Sequence, residues 1–346
     1  MSVLSTTRVP GHLPRALQGA TLDQVRQEVA ARADLVLPDT VLPLKALRIT
    51  EDGLVEVPQI GRLSLTTWSR TQLARMLGIR WDKWFANRLA SPAERKEEID
   101  RRLSRLPGEW KIRSQRRPSS DPSLGEGVLR AFVSPNYTPI DDVRVFDRLS
   151  APLALHSDSL RFIRQEVTDT HTYYVAVTLD EVQLGNVDPD VHHVGFVIAN
   201  SEVGASALSI LEYVWRLVCT NGLVVLSEGR KLFYRIHRAT SDESIERDLA
   251  FAMARLPERW RLATARLEGA REDRIEEPEA TLAGFLADPT VRTFTEPVLA
   301  AYRAEPVATR FGLIQAVTRV ARDLPPDQRF VLERFAGGLL ASGGAA

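Results

Sequence analysis

Residues 195–226 read GFVIANSEVGASALSILEYVWRLVCTNGLVVL, and this stretch decides the fold class. Apolar side chains alternate along residues 207–219, which is the period of an extended strand. The opposite face is mixed, because Glu212 and Arg216 stand among its apolar residues. The β-branched and aromatic content favours a strand, although a helix could also accommodate the run. Asn221-Gly222 then predicts a tight type I′ turn, since both residues tolerate positive φ.

Working outward from this strand, we predict an α+β protein with a central antiparallel sheet. A helical and hairpin region is expected over residues 1–108, the sheet core over 109–240, and a helical C-terminal third over 241–346, packed on the core. Within the first region, Thr21–Gln24 reads as a capping box that opens a helix. Ser69 is expected to cap a second helix.

Composition is that of an ordinary globular protein, with 44% hydrophobic and 26% charged residues among 346. No run approaches the ~18 uncharged apolar residues that a membrane span needs. The N-terminal stretch lacks the apolar core of a signal peptide. We therefore expect a cytoplasmic protein without membrane contact. The single cysteine, Cys219, is expected to be a buried structural thiol, because it falls on the mainly apolar face of a strand.

Four stretches of the chain carry a resemblance to a known family. They are NSEVG (Asn200–Gly204), RLVCTNG (Arg216–Gly222), VSPNYTPIDD (Val133–Asp142) and TRFGLIQAVTRVARDL (Thr309–Leu324). In this order they resemble the phage- and plasmid-associated family called domain of unknown function nine-three-two, over about residues 60–340. The resemblance implies a setting in mobile elements and no particular chemistry.

Local basic clusters stand out against a formal net charge of zero. Residues 101–117 contain seven basic side chains and one acid, and a thinner cluster follows near residue 235. Aromatic residues lie beside both clusters, a pattern typical of single-strand binders, although a solvated charged face would look the same. The predicted nucleic-acid contacts are Lys111, Arg113, Arg116, Arg117, Arg216, Lys231 and Arg235.

Sites with catalytic chemistry are not indicated by the sequence. Asp188-Pro-Asp-Val-His-His193 brings carboxylates and imidazoles together, but adjacent histidines on a strand point to opposite faces. Motifs for nucleophilic catalysis, phosphate loops and spaced metal ligands are missing from the sequence. We therefore predict no catalytic residue, no metal site and no cofactor. The polar groups at strand ends, read either as a turn or as ligand contacts, are Asn136, Tyr137, Asn200 and Glu202.

Three functions stay open at this point. The leading hypothesis is a protein that binds or anneals single-stranded DNA in replication or recombination of mobile elements, with a homo-oligomer as one candidate form. Its hairpin-rich sheet followed by helices resembles that of single-strand annealing recombinases, at the level of fold alone. The second is an enzyme with a pocket between the sheet and the C-terminal helices. The third is a protein–protein interaction component of a phage or plasmid system.

Overall fold

The computed structural model describes residues 19–81, 91–117, 125–154, 159–184, 190–216, 221–225, 232–238 and 242–341. Its strands form two six-stranded sheets, and helices pack around both. The α+β class predicted from the sequence is therefore confirmed. The predicted single sheet is in fact divided in two, and the strands on either side of residue 108 share one of them.

Sheet I is built from the N-terminal half of the chain and has the order β1-β5-β6-β4-β3-β2. Its pairs are antiparallel except that β4 runs parallel to β6. Two helices, α2 (Thr67–Leu77) and α3 (Pro92–Leu103), close its core. Their Leu73, Leu77 and Ile99 are buried against the strands. The strands are β1 Thr40–Pro43, β2 Arg48–Ile49, β3 Val55–Val57, β4 Gly61–Leu65, β5 Glu109–Arg116 and β6 Gly127–Val133.

Sheet II contains the stretch that opened the sequence analysis and has the order β11-β10-β9-β8-β7, with β12 also paired to β10. All its pairs are antiparallel. Leu211, Tyr213 and Trp215 share one buried cluster, as the predicted alternation requires. The strands are β7 Leu160–Val167, β8 Thr172–Leu184, β9 Asp190–Asn200, β10 Leu208–Arg216, β11 Asn221–Val225 and β12 Phe233–Arg235.

Helices cover sheet II in two groups. The first group, α1, α4 and α5, buries apolar residues such as Phe146 and Leu249 against one half of the sheet. The second group, α6 to α10, forms a larger core with the other half around Val182 and Val214. The helices are α1 Leu22–Ala33, α2 Thr67–Leu77, α3 Pro92–Leu103, α4 Asp142–Ala154, α5 Asp242–Ala254, α6 Leu256–Glu272, α7 Pro278–Phe285, α8 Thr295–Ala304, α9 Arg310–Arg322 and α10 Pro326–Ala341.

Two local predictions are wrong, each for a physical reason. Asn221-Gly222 lies within β11, where Asn221 pairs with Arg216 and Gly222 with Trp215, so this dipeptide is paired in the strand and does not form the predicted turn. Ser69 lies inside α2, because Thr66 is the N-cap and the Ser69 hydroxyl donates 2.7 Å to the carbonyl of Leu129. The predicted capping box of α1 at Thr21 is confirmed.

Several sequence predictions fall on residues outside the described ranges, namely Cys219, Lys231 and most of the loop expected after Arg117. Among the helices that the structure does describe, none has both the length and the apolar character to cross a bilayer.

Candidate functional site

The two sheets meet through a buried polar network, and Arg113 is its centre. This side chain rises from β5 of sheet I and is only 2% exposed. Its guanidinium donates two hydrogen bonds to Asp141, of 2.8 and 2.9 Å, and one of 3.2 Å to Asp39. It also donates to the main-chain carbonyl of Glu202, in the turn that follows β9 of sheet II. Burial opposes the charge of Arg113, but the hydrogen bonds and charge of Asp141 outweigh it, so the pKa of Arg113 is raised.

Asp142, the first residue of α4, is the second buried charge of the network. Its carboxylate accepts hydrogen bonds from Asn200 Nδ2 at 2.8 Å, Tyr174 Oη at 2.7 Å and Thr172 Oγ1 at 3.0 Å. Burial, and then the nearby charge of Glu202, raises the pKa of Asp142 to about 6 despite these donors. Asp142 therefore joins α4 to the ends of two strands of sheet II.

Glu202 completes the junction from the sheet II side. One carboxylate oxygen accepts the backbone N–H of Asp142 at 2.9 Å, and the other pairs with Arg130 of β6 at 2.7 Å. Burial alone would raise the pKa of Glu202, but the charge of Arg130 outweighs it and the pKa is lowered. Arg113 thus bonds to Asp141 and to the carbonyl of Glu202, and Arg130 bonds to the carboxylate of Glu202. These charge-assisted hydrogen bonds hold the two sheets together.

Tyr137 and His237 form a stacked pair beside this network, with ring centroids 5.2 Å apart and planes within 8°. His237 Nδ1 accepts the backbone N–H of Ile140 at 3.1 Å, so the proton of the neutral ring lies on Nε2. The Tyr137 hydroxyl lies 3.0 Å from the same Nδ1 and donates to the carbonyl of Ser201 at 3.2 Å. Burial, with the charge of Arg113 second, lowers the pKa of His237 to about 4, so the ring is neutral at pH 7.

A groove of about 430 Å³ opens next to the stacked pair, between the edge of sheet II and strands β5 and β6. Its aromatic lining residues include Trp110, Tyr137 and Tyr234, and Tyr234 is 56% exposed. Arg238 is its cationic lining residue, and none of the described residues that line it is acidic. The groove therefore offers aromatic surface next to positive charge.

The predicted basic residues do not form one patch. Lys111 does not line the groove itself, but its Nζ donates to the carbonyl of Tyr137, which does. Arg116 is exposed and Arg117 donates to the Ser64 hydroxyl. Both lie at the far end of β5, about 20 Å along the strand from Trp110. The prediction that Arg113 contacts nucleic acid is wrong, because a side chain buried between carboxylates cannot reach a phosphate.

The remaining predicted contacts are distributed elsewhere. Arg235 forms an ion pair with Asp248 of α5. Arg216 lies at the end of β10 that is far from the groove, and it pairs with Asp190. Glu212, four residues before Arg216 on the same strand, pairs with Arg259. They therefore add little positive charge to the groove.

The four polar residues proposed from strand ends separate into two kinds. Asn200 and Glu202 belong to the buried network, and Tyr137 lines the groove. Asn136 is exposed in a turn and contributes its backbone N–H to the Ser134 hydroxyl. Sequence reasoning missed Asp142 and His237 as partners of these residues, because they are 58 and 100 residues away from Asn200 and Tyr137. The groove also does not lie between the sheet and the C-terminal helices, where the enzyme hypothesis placed its pocket.

The histidine pair on β9 behaves as its extended backbone requires. His192 lies against Phe311 and His193 against Trp215, on opposite faces of the sheet. Across the described residues, no group of three or more histidine, cysteine or acidic side chains is placed to hold a metal ion.

Comparison with known proteins places the chain in a family. The model of the family described as Domain of unknown function (DUF932) matches residues 130–321, which is more than half of the chain. The protein belongs to this family. The chain has no significant match among curated proteins or among solved structures. The DUF932 segment contains Tyr137, His237 and most of the network, whereas Trp110, Lys111 and Arg113 precede it.

Proposed function

We propose that this protein binds single-stranded DNA and that the groove beside Tyr137 and His237 receives its bases. The observation that carries the proposal is the lining of the groove, where Trp110, Tyr137 and Tyr234 come together with Arg238 and without an acidic side chain among the described residues. Stacking on aromatic rings suits single strands, because every unpaired base exposes a π face. The phage and plasmid association of the family it resembles is consistent with a role in replication or recombination of mobile elements.

The exposed ring of Tyr234 is the stacking surface we assign to the first base. It projects from β12 with 56% of its surface exposed, although burial of such an aromatic ring would be favourable. Ile236 lines the same groove and is 51% exposed, so apolar surface continues beside the ring. A base that covers both residues would remove this surface from water.

Phosphate contacts are assigned to Arg238, which lines the groove, and to Lys111, whose Nζ donates to the carbonyl of the lining residue Tyr137. Two contacts on a single strand predict a slope of about −1.4 for log K against log salt concentration. This is a shallow dependence, and it agrees with a chain whose formal net charge is zero. Stacking is therefore expected to contribute more of the affinity than charge does.

The test is fluorescence anisotropy of a labelled oligothymidine with the full chain, at several salt concentrations. Tyr234→Ala should weaken binding by roughly 5- to 150-fold, because stacking on one aromatic ring is worth ~1–3 kcal/mol per base. Phe251→Ala is the matched control, since Phe251 is a 64% exposed aromatic residue of α5 that does not line the groove. Light scattering with and without the oligonucleotide tests whether the bound form is a homo-oligomer.

Two outcomes would overturn the proposal. One is the absence of binding at low salt. The other is an equal loss of affinity in Tyr234→Ala and Phe251→Ala, which would mean that the groove has no special role.

A further inference from the structure

A second cavity lies at the other end of sheet II. It has a volume of about 500 Å³ and is lined by residues from β9, β10, α6, α8 and α9. Arg216, which lines it, ends β10, whereas the groove lies at the start of that strand. The eight residue steps between the two ends of β10 correspond to about 27 Å. The cavity is therefore separate from the groove of the proposed function.

Three arginines from three different elements reach this cavity. Arg216 comes from β10, Arg271 from α6 and Arg319 from α9, and their side chains are 23%, 27% and 23% exposed. Guanidinium groups from separate elements are brought together here by the fold, against their mutual repulsion. Such an arrangement is stabilised when negative charge is placed among them.

The cavity's own acids do not balance these arginines. Asp190 is shared, with its Oδ2 2.6 Å from Arg216 Nε and 3.6 Å from Arg271 Nη1. Glu305 pairs with Arg319, but its side chain is 68% exposed and water screens it. Among the described residues that line the cavity, three guanidinium groups thus face two carboxylates, which leaves one positive charge in excess.

Arg271 is the least satisfied of the three. Its Nη1 is buried and has no hydrogen-bond partner within the described residues, and the same holds for Asp190 Oδ1. Its guanidinium lies 5.0 Å from the centre of the Phe311 ring, which fixes its position without supplying an acceptor. A buried charged donor without an acceptor is costly, and a ligand oxygen would supply one.

The start of α9 adds a further attraction for anions. Phe311 and Gly312 of its first turn line the cavity, and the helix is 13 residues long. The N-terminus of a helix carries partial positive charge and favours anionic ligands. Gly312 is required there, because a Cβ at this position would lie 2.1 Å from the carbonyl oxygen of Val307.

We propose that this cavity binds a small phosphate-bearing molecule, no larger than a mononucleotide. A phosphate is tetrahedral and doubly charged, so it can accept from guanidinium groups that approach from several directions, whereas a carboxylate is planar and suits one or two. The volume is that of a small-molecule site. Val307, Ala301 and Ala316 supply apolar walls for the rest of the molecule.

The test measures the affinity of the full chain for pyrophosphate by isothermal titration calorimetry, with ionic strength held constant by sodium chloride. Arg271→Gln should weaken binding at least about tenfold, which corresponds to the loss of one charge-assisted contact. Arg319→Gln is the second variant and protects the test against misfolding of the first. Arg303→Gln is the control, because Arg303 pairs with Glu279 on the exposed face of α8 and does not line the cavity.

Three results would overturn the proposal: no binding of pyrophosphate, equal affinity in all variants, or equal weakening by Arg303→Gln. The phosphate could also belong to a nucleic acid, so the labelled oligonucleotide is titrated against Arg271→Gln as well. Unchanged oligonucleotide affinity supports a small-molecule site, and a tenfold loss refutes it in favour of a DNA backbone contact. Failure of the Tyr234 test leaves these results unaffected, because that residue lies on β12, which pairs with the other end of β10.

Discussion

Replacing Arg113 by alanine should destabilise the folded protein severely, although the sequence predicts that the basic cluster around this residue contacts nucleic acid. The side chain is 2% exposed and holds Asp141 through two hydrogen bonds and Asp39 through one. Without it, the carboxylate of Asp141 is left in a partly buried site with no cation bonded to it. Breaking a buried ion pair in this way costs about 3–5 kcal/mol. That is a large part of the ~5–15 kcal/mol by which proteins are stable.

Urea denaturation followed by tryptophan fluorescence measures this loss, and the same strand offers a control. Arg116 lies on β5 three residues further on and is exposed. Arg116→Ala should therefore change the free energy of unfolding by no more than ~0.5 kcal/mol. The double variant Arg113→Ala with Asp141→Ala should be less destabilised than the sum of the single variants, because it removes the charge that the first change leaves uncompensated.

One result would refute this reasoning. If Arg113→Ala unfolds within ~1 kcal/mol of the parent and loses affinity for the oligonucleotide, the side chain contacts DNA and does not join the sheets. Additive effects in the double variant would equally exclude the ion pair with Asp141 as the source of the stability.

Three further predictions follow from the structure, two on the pH dependence of stability and one on backbone packing at glycines. Because burial lowers the pKa of His237 from 6.5 to about 4, its contribution to stability is complete above pH 6.5 and is lost as pH falls through about 4; His237→Gln should remove this loss. The pKa of Asp142 is raised from 3.8 to about 6, so its contribution to stability is complete below pH 3.8 and is lost as pH rises through about 6. The loss is at most about 3 kcal/mol, and Asp142→Asn should remove this pH dependence of the free energy of unfolding. Urea denaturation between pH 4 and pH 7 checks both, and profiles parallel to that of the parent would contradict them. Gly195→Ala should prevent normal folding, since its Cβ would lie 1.9 Å from the carbonyl oxygen of Ala176, whereas Gly269→Ala has open space on a helix and should raise stability by ~1 kcal/mol. Thermal melting of the two glycine variants decides this, and similar melting temperatures would refute it.

Local patterns were sufficient to predict the elements, because periodicity and caps are properties of neighbouring residues. The alternation along residues 207–219 correctly predicts β10, and Thr21 correctly predicts the start of α1. Asn221-Gly222 misled the prediction because a dipeptide that permits a turn does not require one. The pairing of Arg216 with Asn221 places both residues of the dipeptide in the strand.

Strand partners could not be predicted in the same way. Local sequence carries no information that β4 and β6 pair in parallel across about sixty residues of chain. The same limit explains the division into two sheets, because the alternation of a strand does not depend on which sheet the strand joins.

The candidate site was predicted in part, and Arg113 shows why the rest was missed. Alternation places it on the polar face of β5, which a sequence reading takes as solvent-exposed. In the fold, the first turn of α4 and the main chain at Glu202 cover that face, so its polar residues become buried partners. Tyr137 was predicted as a polar group at a strand end and Tyr234 as an aromatic residue beside basic ones, but their common groove depends on contacts between sheets.

The buried network lies beside the groove, and the two have different roles. The sequence places residues of both roles, Arg113 and Lys111, in one basic cluster. Arg113 and Arg130 fix sheet I to sheet II, and the groove lies where the two sheets meet. Lys111, two residues before Arg113 on the same strand, donates to the carbonyl of Tyr137, which lines the groove. Arg113 therefore joins the two sheets, whereas Lys111 holds the main chain of a residue that lines the groove. Loss of binding in a variant of the network would report a change in groove shape, whereas loss in a variant of Tyr234 would report a lost contact. Measuring the free energy of unfolding beside oligonucleotide affinity separates the two, because Tyr234 is exposed and its truncation removes little of the core.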